Sequence, residues 1–173
     1  MTGRSRKIQR LLIVVDQSPS SQHAWNYVAS LIGRRRGFQV HLLYLLPPLP
    51  PALLEFGGAE DPRTEQKLQT KLRREQRNWL VSARDSSKPV FDKALRVLRK
   101  EGIVSRNVEF DISHTSEPRN AIRIIVETAR AKRCPTIVVG HEAHSWFHGL
   151  TGGVHLAEQI IRHGAGLSIW VVQ

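Results

Sequence analysis

The sequence predicts one α/β domain, a doubly wound, five-stranded parallel sheet with helices on both faces. Three observations predict this fold class. Strand-like apolar runs alternate with segments of helical spacing in the order βαβαβαβαβ. The first apolar run is continuous, which is typical of a parallel strand buried on both faces. The length of 173 residues and the hydrophobic content of 40% fit one domain with its own core.

The first predicted strand, helix and second strand lie within the first 46 residues. The strand covers residues 11–15, whose sequence is Leu-Leu-Ile-Val-Val. Ser18 followed by Pro19 predicts the N-cap and first turn of a helix, because the N–H that proline lacks would have no partner there. Apolar residues then recur at helical spacing up to Gly33, and residues 38–46 form the second strand.

A loop rich in Pro and Gly over residues 47–63 leads into a long helical region. The helix begins at Asp61-Pro62, with apolar side chains on or near one face and Lys, Arg and Gln on the other. The apolar face consists of Leu68, Leu72, Trp79, Leu80 and Ala83. Residues 86–89 (Ser-Ser-Lys-Pro) interrupt the pattern, which leaves open a kink or two separate helices. The second part covers residues 91–100 and ends at Gly102.

The rest of the chain predicts three strands and two helices. Apolar and charged residues alternate over 108–112, the pattern of a half-exposed strand. A helix opens at residues 116–118 (Ser-Glu-Pro). Its predicted buried face consists of Ala121, Ile122, Ile125, Val126 and Ala129. A strand over 136–140, a helix over 154–163 and a strand over 167–172 complete the chain.

The formal net charge of +11 is concentrated in three places. Residues 1–10 carry +4 and form a basic tail ahead of a domain that covers residues 11–173. Residues 34–36 carry +3, and residues 63–100 carry +8 from twelve Lys or Arg and four acidic residues. A solvated helix face explains the last segment, and the alternative is an anionic partner, either nucleic acid or another anionic surface. Few aromatic residues accompany these cations, so base stacking is not favoured.

Cysteine content and hydropathy bear on location. The single cysteine, Cys134, cannot form an internal disulfide, which fits a reducing compartment, and it is typical of a small buried residue. The apolar run at 11–15 is too short to span a bilayer, and the run at 42–54 is interrupted by four prolines. We therefore expect a cytoplasmic protein without a membrane span.

Two predicted strand ends carry groups suited to a ligand. In open parallel sheets, ligands bind beyond the carboxyl ends of the strands, where the strand order reverses. Asp16 follows the first strand, and Gly140 ends the fourth and opens a loop with Gly149, Gly152 and Gly153. Amide groups of such a loop can hold a phosphate, and the alternative is a plain strand-to-helix turn.

The order and spacing of four segments carry a family resemblance. The segments are residues 11–18 (LLIVVDQS), the helix that follows Glu117-Pro118, residues 136–140 (TIVVG), and the glycine loop with its helix and final strand. Over nearly the whole chain, the sequence resembles the universal stress protein family. The resemblance implies a Rossmann-like sheet and homodimers that pair through the last strand, here residues 167–172. An unpaired edge strand also favours such pairing.

Members of that family that bind ATP carry the pattern G-x-x-G, nine residues, then G-[ST]. This chain has Gly140-His-Glu-Ala143 and, after eight residues, Gly152-Gly153; aligning Gly153 with the closing glycine restores nine residues and puts Val154 at the hydroxyl position. The resemblance implies that Asp16 contacts the adenosine and that loop amides hold the phosphates of ATP with Mg²⁺. The candidate nucleotide-binding residues are Val15, Asp16, Gly140, Ala143, Gly152, Gly153 and Val154.

Four histidines lie in and beside the same loop. His141, His144 and His148 are spaced i, i+3, i+7, and His155 follows them. A helix would place the first three on one face, but the glycines predict a loop. The sequence His141-Glu-Ala-His144 is one residue shorter than the H-E-x-x-H zinc motif, so we predict no metal site. The histidines either neutralise a bound phosphate when protonated or are exposed loop residues.

The predicted function is adenine-nucleotide binding with a regulatory role in the stress response, by a homodimer that is not an enzyme. No nucleophile–base–acid set is recognisable, and slow ATP hydrolysis is left open. Two alternatives are kept. In the first, the nucleotide site is degenerate and the protein is a dimeric interaction module. In the second, the basic surface of residues 63–100 binds nucleic acid or another anionic surface.

Overall fold

The computed structural model describes residues 8–54, 58, 61–115, 117–150 and 155–173. Five parallel strands form one sheet in the order β3-β2-β1-β4-β5. The strands are β1 (Gln9–Val15), β2 (Phe38–Leu46), β3 (Val108–His114), β4 (Thr136–Gly140) and β5 (Ser168–Val172). This confirms the predicted fold class. Because β1 lies between β2 and β4, the strand order reverses at its carboxyl end, as the strand-end prediction requires.

Helices cover both faces of the sheet. They are α1 (Pro19–Ile32), α2 (Pro62–Asp85), α3 (Ser87–Lys100), α4 (Pro118–Ala131), α5 (Ser145–Leu150) and α6 (Leu156–His163), with 3₁₀ turns at Pro51–Leu53 and Ser105–Asn107. Buried residues of α1 and α3 pack on one face. Those of α4, α6 and Phe147 of α5 pack on the other. Among the helices described, none is both long and apolar enough to cross a membrane.

The strand β1 is the centre of the core. Leu11–Val15 are each at most 4% exposed, which explains the continuous apolar run, because both faces of this strand are covered. The strand begins at Gln9, two residues earlier than that run. At its other end, Ser18 caps α1, since its hydroxyl accepts a hydrogen bond from the Ser21 N–H at 3.1 Å.

The break in the basic region separates two helices. The helix α2 ends at Asp85, and α3 starts at Ser87 after the single residue Ser86, which resolves the alternatives left open and starts the second helix four residues earlier than predicted. Ala94 and Leu98 of α3 are fully buried. The predicted apolar face of α2, by contrast, is only half-buried, and no residue of this helix is fully buried. Thus α2 lies at the periphery.

The largest departure from the sequence prediction lies after β4. The predicted loop contains a short helix, α5, and Phe147 in it is 2% exposed. Burial of this aromatic side chain stabilises a helix that its glycine and histidine content does not favour. The following helix, α6, begins at Leu156. Gly152, Gly153 and Val154, the closing part of the predicted phosphate loop, lie outside the described residues.

Candidate functional site

A cavity of about 730 Å³ opens beyond the carboxyl ends of β1 and β2. It lies where the strand order reverses, the usual place for a ligand in such sheets. Its lining comes from the loop after β1, the end of β2, the α2–α3 junction and the α5 region. These residues are Asp16, Gln17, Ser18, Pro19, Tyr44, Leu45, Pro47, Ala83, Ser86, Glu142, Ala143, His144, Trp146, His148, His155 and Leu156.

The Asp16 carboxylate forms hydrogen bonds through both oxygens. Its Oδ1 accepts from the Ser18 amide at 2.9 Å and from the Ser18 hydroxyl at 2.5 Å. Its Oδ2 accepts from the backbone N–H of His144 and pairs with Nδ1 of that residue at 3.0 Å. The carboxylate therefore joins the end of β1 to the turn after β4, two segments 128 residues apart in sequence.

These contacts keep Asp16 ionised. Burial alone raises the pKa of the carboxyl group, but hydrogen bonds and positive charge from His144, together with the Ser18 hydroxyl, outweigh burial. The net effect holds the pKa of Asp16 well below its usual value. Nearby, burial and the negative charge of Asp16 raise the pKa of the Tyr44 hydroxyl.

His144 was not among the predicted nucleotide-binding residues. Its side chain is completely buried, and its ring stacks on Trp146 with centroids 5.6 Å apart. An ionised carboxylate only accepts hydrogen bonds, so Nδ1 carries the proton that it shares with Asp16. The other ring nitrogen, Nε2, is buried and has no hydrogen-bond partner in the described structure. His144 therefore lines the cavity with one polar atom unpaired.

The backbone around His144 explains how the loop tolerates alanine at position 143. His144 has a φ of 57°, in the left-handed region, whereas Ala143 does not. The alanine at the second glycine position of the family pattern is therefore free of backbone strain. Its amide donates to the Gly140 carbonyl at 3.1 Å, which closes the turn.

Gly140 has a packing role. A Cβ atom placed there would lie 2.5 Å from the backbone carbon and 2.6 Å from the carbonyl oxygen of Ser20. Only glycine allows the first turn of α1 to approach the end of β4 this closely. This close approach brings the loop after β1 next to the turn after β4.

The structure brings together part of the predicted site. Asp16 and Ala143 line the cavity. Val15 is fully buried in the sheet, and neither it nor Gly140 belongs to the described lining. Residues 152–154 lie outside the described parts of the chain, so the closing half of the phosphate pattern stays a prediction.

Three histidines form a cluster at the cavity. The rings of His141 and His155 have centroids 4.7 Å apart, and those of His148 and His155 are 4.6 Å apart. We call these three residues the histidine cluster. The sequence spacing had grouped His144 with them, but that side chain turns inward to Asp16. In the described parts of the chain, no group of three or more His, Cys, Asp or Glu is arranged to hold a metal ion.

Charge distinguishes this cavity from the rest of the molecule. The chain has 26 Lys and Arg residues, yet none belongs to the described lining. The lining instead contains two carboxylates, Asp16 and Glu142, and three imidazoles, those of His144, His148 and His155. The high net charge of the chain is therefore not directed into this cavity.

A smaller cavity of about 300 Å³ lies at the amino end of the sheet. Buried His41 approaches Asp111 at 2.6 Å and Glu109 at 3.3 Å, and Lys132 approaches Asp111 at 3.1 Å. These contacts join β2, the edge strand β3 and the end of α4. Burial raises the pKa of the Cys134 thiol to about 11, so this residue is protonated at neutral pH, as a packed side chain is. We assign this cluster a structural role.

Comparisons with known proteins agree with the fold. The sequence profile described as "Universal stress protein family" matches residues 7–172. No curated protein sequence matches the chain significantly. A universal stress protein from Archaeoglobus fulgidus superposes with a TM-score of 0.58 at 17% identity, over 96% of this chain and 95% of that chain.

Two other similar structures contain nucleotides. One is a universal stress protein from Archaeoglobus fulgidus in complex with dAMP, with a TM-score of 0.57, 18% identity, and 95% of this chain and 98% of that chain covered. The other is a universal stress protein in complex with cAMP, with a TM-score of 0.57, 14% identity, and coverage of 95% and 96%. With the profile match over almost its whole length, the chain belongs to the universal stress protein family.

Proposed function

We propose that the chain is a regulatory protein that binds an adenine nucleotide in the 730 Å³ cavity. The observation that carries the proposal is the position of this cavity, at the strand reversal of a fold whose relatives include structures with dAMP and cAMP. Binding to this chain then controls a response, and no catalytic step is needed.

The walls of the cavity suit the nucleoside part of such a ligand. Tyr44, Trp146 and Leu156 supply apolar and aromatic surface against which a purine can pack. Asp16 supplies a polar group for ribose or base, whereas the His144 side chain has no exposed surface. The hydrogen bonds that Asp16 accepts from Ser18 and His144 fix the position of this carboxylate at the cavity.

The same cavity favours a nucleotide of low charge over Mg-ATP. A triphosphate would face Asp16 and Glu142 without a Lys or Arg in the described lining. Residues 152–154 and the bound Mg²⁺ would have to supply the compensation, as the family pattern implies. The chemistry of the described residues fits a monophosphate or cyclic nucleotide better.

A cavity-blocking pair of variants tests the proposal. Ala83→Phe places a ring into the cavity from α2, whereas Val81→Phe adds the same ring to a residue of that helix that is 54% exposed and outside the lining. We expect calorimetry with dAMP to show one site per chain in the unaltered protein and in Val81→Phe, and at least tenfold weaker binding in Ala83→Phe. Equal affinity in all three proteins would contradict the proposed site.

A second proposal concerns the basic surface. All twelve Lys and Arg residues of positions 63–100 are exposed on α2 and α3. Arg34 of the three-arginine turn lies against Gly102, just beyond the end of α3, so the two basic regions are adjacent. We propose that this surface binds nucleic acid through its phosphates, with affinity that falls steeply as salt rises.

Two matched triple variants test this surface. Replacing Arg73, Arg74 and Arg77 by Gln removes three charges from α2, and replacing Arg119, Arg123 and Arg130 by Gln removes three exposed charges from α4. We expect only the α2 variant to lose affinity for duplex DNA, independently of its sequence. Equal losses would indicate nonspecific attraction, and preserved binding to anionic vesicles alone would point to a lipid surface instead.

We also propose a homodimer formed through β5. This strand is an edge of the sheet, and Ile169, Trp170, Val171 and Val172 on it are half-buried. Val171→Lys should convert the dimer to a monomer in sedimentation at micromolar concentration, whereas Val104→Lys, at an exposed residue near β3, should not. A monomeric unaltered protein would refute this assembly.

A further inference from the structure

The histidine cluster is assembled from three separate elements. His141 follows β4, His148 belongs to α5, and His155 precedes α6 as its N-cap. His155 is the central member, within 4.7 Å of both other rings, and His148 and His155 line the cavity. The cluster therefore presents two imidazoles to the cavity, with a third ring beside them.

Ordinary structural contacts do not account for this arrangement. Within the described residues, none of the three rings is paired with a carboxylate, and the His155 side chain does not cap α6. His148 is exposed, and His141 and His155 are half-buried, so the rings are not ordered by a closed core. Adjacent imidazoles at 4.6 Å repel each other once two are protonated, unless an anion lies beside them.

The other titratable groups near the histidine cluster are mostly acidic or already paired. The other titratable groups of the cavity are Asp16 and Glu142, which are acidic, Tyr44, and His144, which is committed to Asp16. Glu158 lies in the first turn of α6, one turn after His155. With no Lys or Arg in the described lining, His148 and His155 are the basic groups there that are not paired with a carboxylate.

We propose that His148 and His155, backed by His141, bind the phosphate of the nucleotide as imidazolium ions, so that nucleotide binding takes up a proton. This inference rests on the proposed nucleotide-binding function and adds its regulation by pH. Imidazole is the side chain whose charge ordinarily changes between about pH 5 and pH 8, so a phosphate held by imidazolium ions binds more tightly as the pH falls. The first turn of α6, with its positive dipole end, reinforces attraction of an anion.

Cyclic AMP and adenosine are suitable probes. The phosphodiester of cAMP keeps one negative charge between pH 8 and pH 6, so any pH dependence of its binding belongs to the protein. Adenosine has no phosphate and reports on the nucleoside pocket alone. We expect cAMP to bind about tenfold more tightly at pH 6 than at pH 8, with net proton uptake in calorimetry in two buffers, whereas adenosine affinity changes less than about twofold.

Paired variants identify the responsible histidines. His148→Gln/His155→Gln should abolish the pH dependence of cAMP binding and leave adenosine binding intact. His23→Gln/His163→Gln removes two exposed histidines elsewhere and should behave like the unaltered protein. Thermal unfolding checks that both variants fold.

The outcomes distinguish a failure of this inference from a failure of the proposed nucleotide binding. If cAMP and adenosine both bind with the same flat pH profile, the histidine role is wrong and nucleotide binding stands. If the pH dependence persists in His148→Gln/His155→Gln, the proton is taken up elsewhere and the inference is likewise overturned. If neither probe binds the folded protein at any pH, the proposed function itself is wrong.

Discussion

The two ends of the parallel sheet differ in their content of Lys and Arg. At the carboxyl end, the described lining of the large cavity contains carboxylates and imidazoles but neither Lys nor Arg. At the amino end, residues 34–36 (Arg-Arg-Arg) follow α1, Arg99 and Lys100 end α3, and Lys132 and Arg133 follow α4. Lys and Arg residues at the C-terminal end of a helix interact favourably with the negative end of its dipole. The other basic residues form an exposed basic surface.

This difference changes the interpretation of the net charge. A charge of +11 suggests attraction of phosphate anywhere on the molecule. The structure instead directs that charge away from the cavity, whose described lining consists of apolar walls, carboxylates, imidazoles and other uncharged polar groups. Nucleotide and polyanion binding are therefore proposed at different surfaces and should respond to different substitutions.

Among the substitutions considered, Asp16→Ala should lower the folding stability most, through contacts at the carboxyl end of the sheet. It removes the acceptor for both the backbone N–H and Nδ1 of His144 and leaves that imidazole completely buried without a partner. Losing one member of such a pair costs about 3–5 kcal/mol of folding stability. Urea unfolding at pH 7 measures this loss. A loss below about 1 kcal/mol would mean that the pair is not what joins β1 to the turn after β4.

Gly140→Ala should have the next largest effect. The added methyl group would lie within 2.7 Å of three atoms of Ser20, two of them backbone atoms that cannot move without displacing α1. Overpacking of this kind costs about 1–3 kcal/mol.

Gly149→Ala is the matched control, because a Cβ there meets nothing within 4 Å. Thermal unfolding should show a lowered Tm for Gly140→Ala and an unchanged or slightly raised Tm for Gly149→Ala. An equal change in Tm for the two variants would contradict the packing role of Gly140.

Acid should weaken the fold gradually through Asp16. The pKa of its carboxyl group is lower in the folded state than the ordinary value of 3.8. The stabilisation from such a group is fully present above about pH 5 and is lost as the pH falls through 3.8 toward the folded-state pKa. Asp111, whose pKa is also lowered by His41 and Lys132 against the effect of burial, adds to the same trend.

The pH dependence of unfolding separates the two ends. Asp16→Asn should flatten the decline in urea-unfolding free energy between pH 5 and pH 2, and Asp111→Asn, at the amino end, should flatten it less because that carboxylate is more exposed. A larger effect of Asp111→Asn would reverse the assignment of strong electrostatic coupling to the carboxyl end.

The fold was predictable because burial leaves a local pattern. A few neighbouring residues are enough to show this pattern. Examples are the continuous apolar run at 11–15 and the helical spacing of Ala121, Ile125 and Ala129, all of which are buried. The half-buried face of α2 was also visible, although its peripheral position was not, since apolar spacing shows which face turns inward and not how deeply.

The site was predictable only in part. Asp16 and Ala143 were found from the strand ends and the family pattern, and both line the cavity. The Asp16–His144 pair was missed, because it joins residues 128 apart and no local pattern marks it. The one signal was the position of His144 directly after the alanine that replaces a glycine, where the left-handed backbone φ occurs. The helix α5 was missed because tertiary burial of Phe147 overrides local propensity.

The most direct test of site-specific nucleotide binding is calorimetric titration with dAMP at low and at physiological salt. Recognition by the walls of a cavity without Lys or Arg in its described lining predicts saturable binding of one nucleotide per chain at both salt concentrations, with affinities within about threefold. Binding that appears only at low salt, or that fails to saturate at one per chain, would show that the basic surface attracts the phosphate. It would contradict a nucleotide site at the carboxyl end of the sheet.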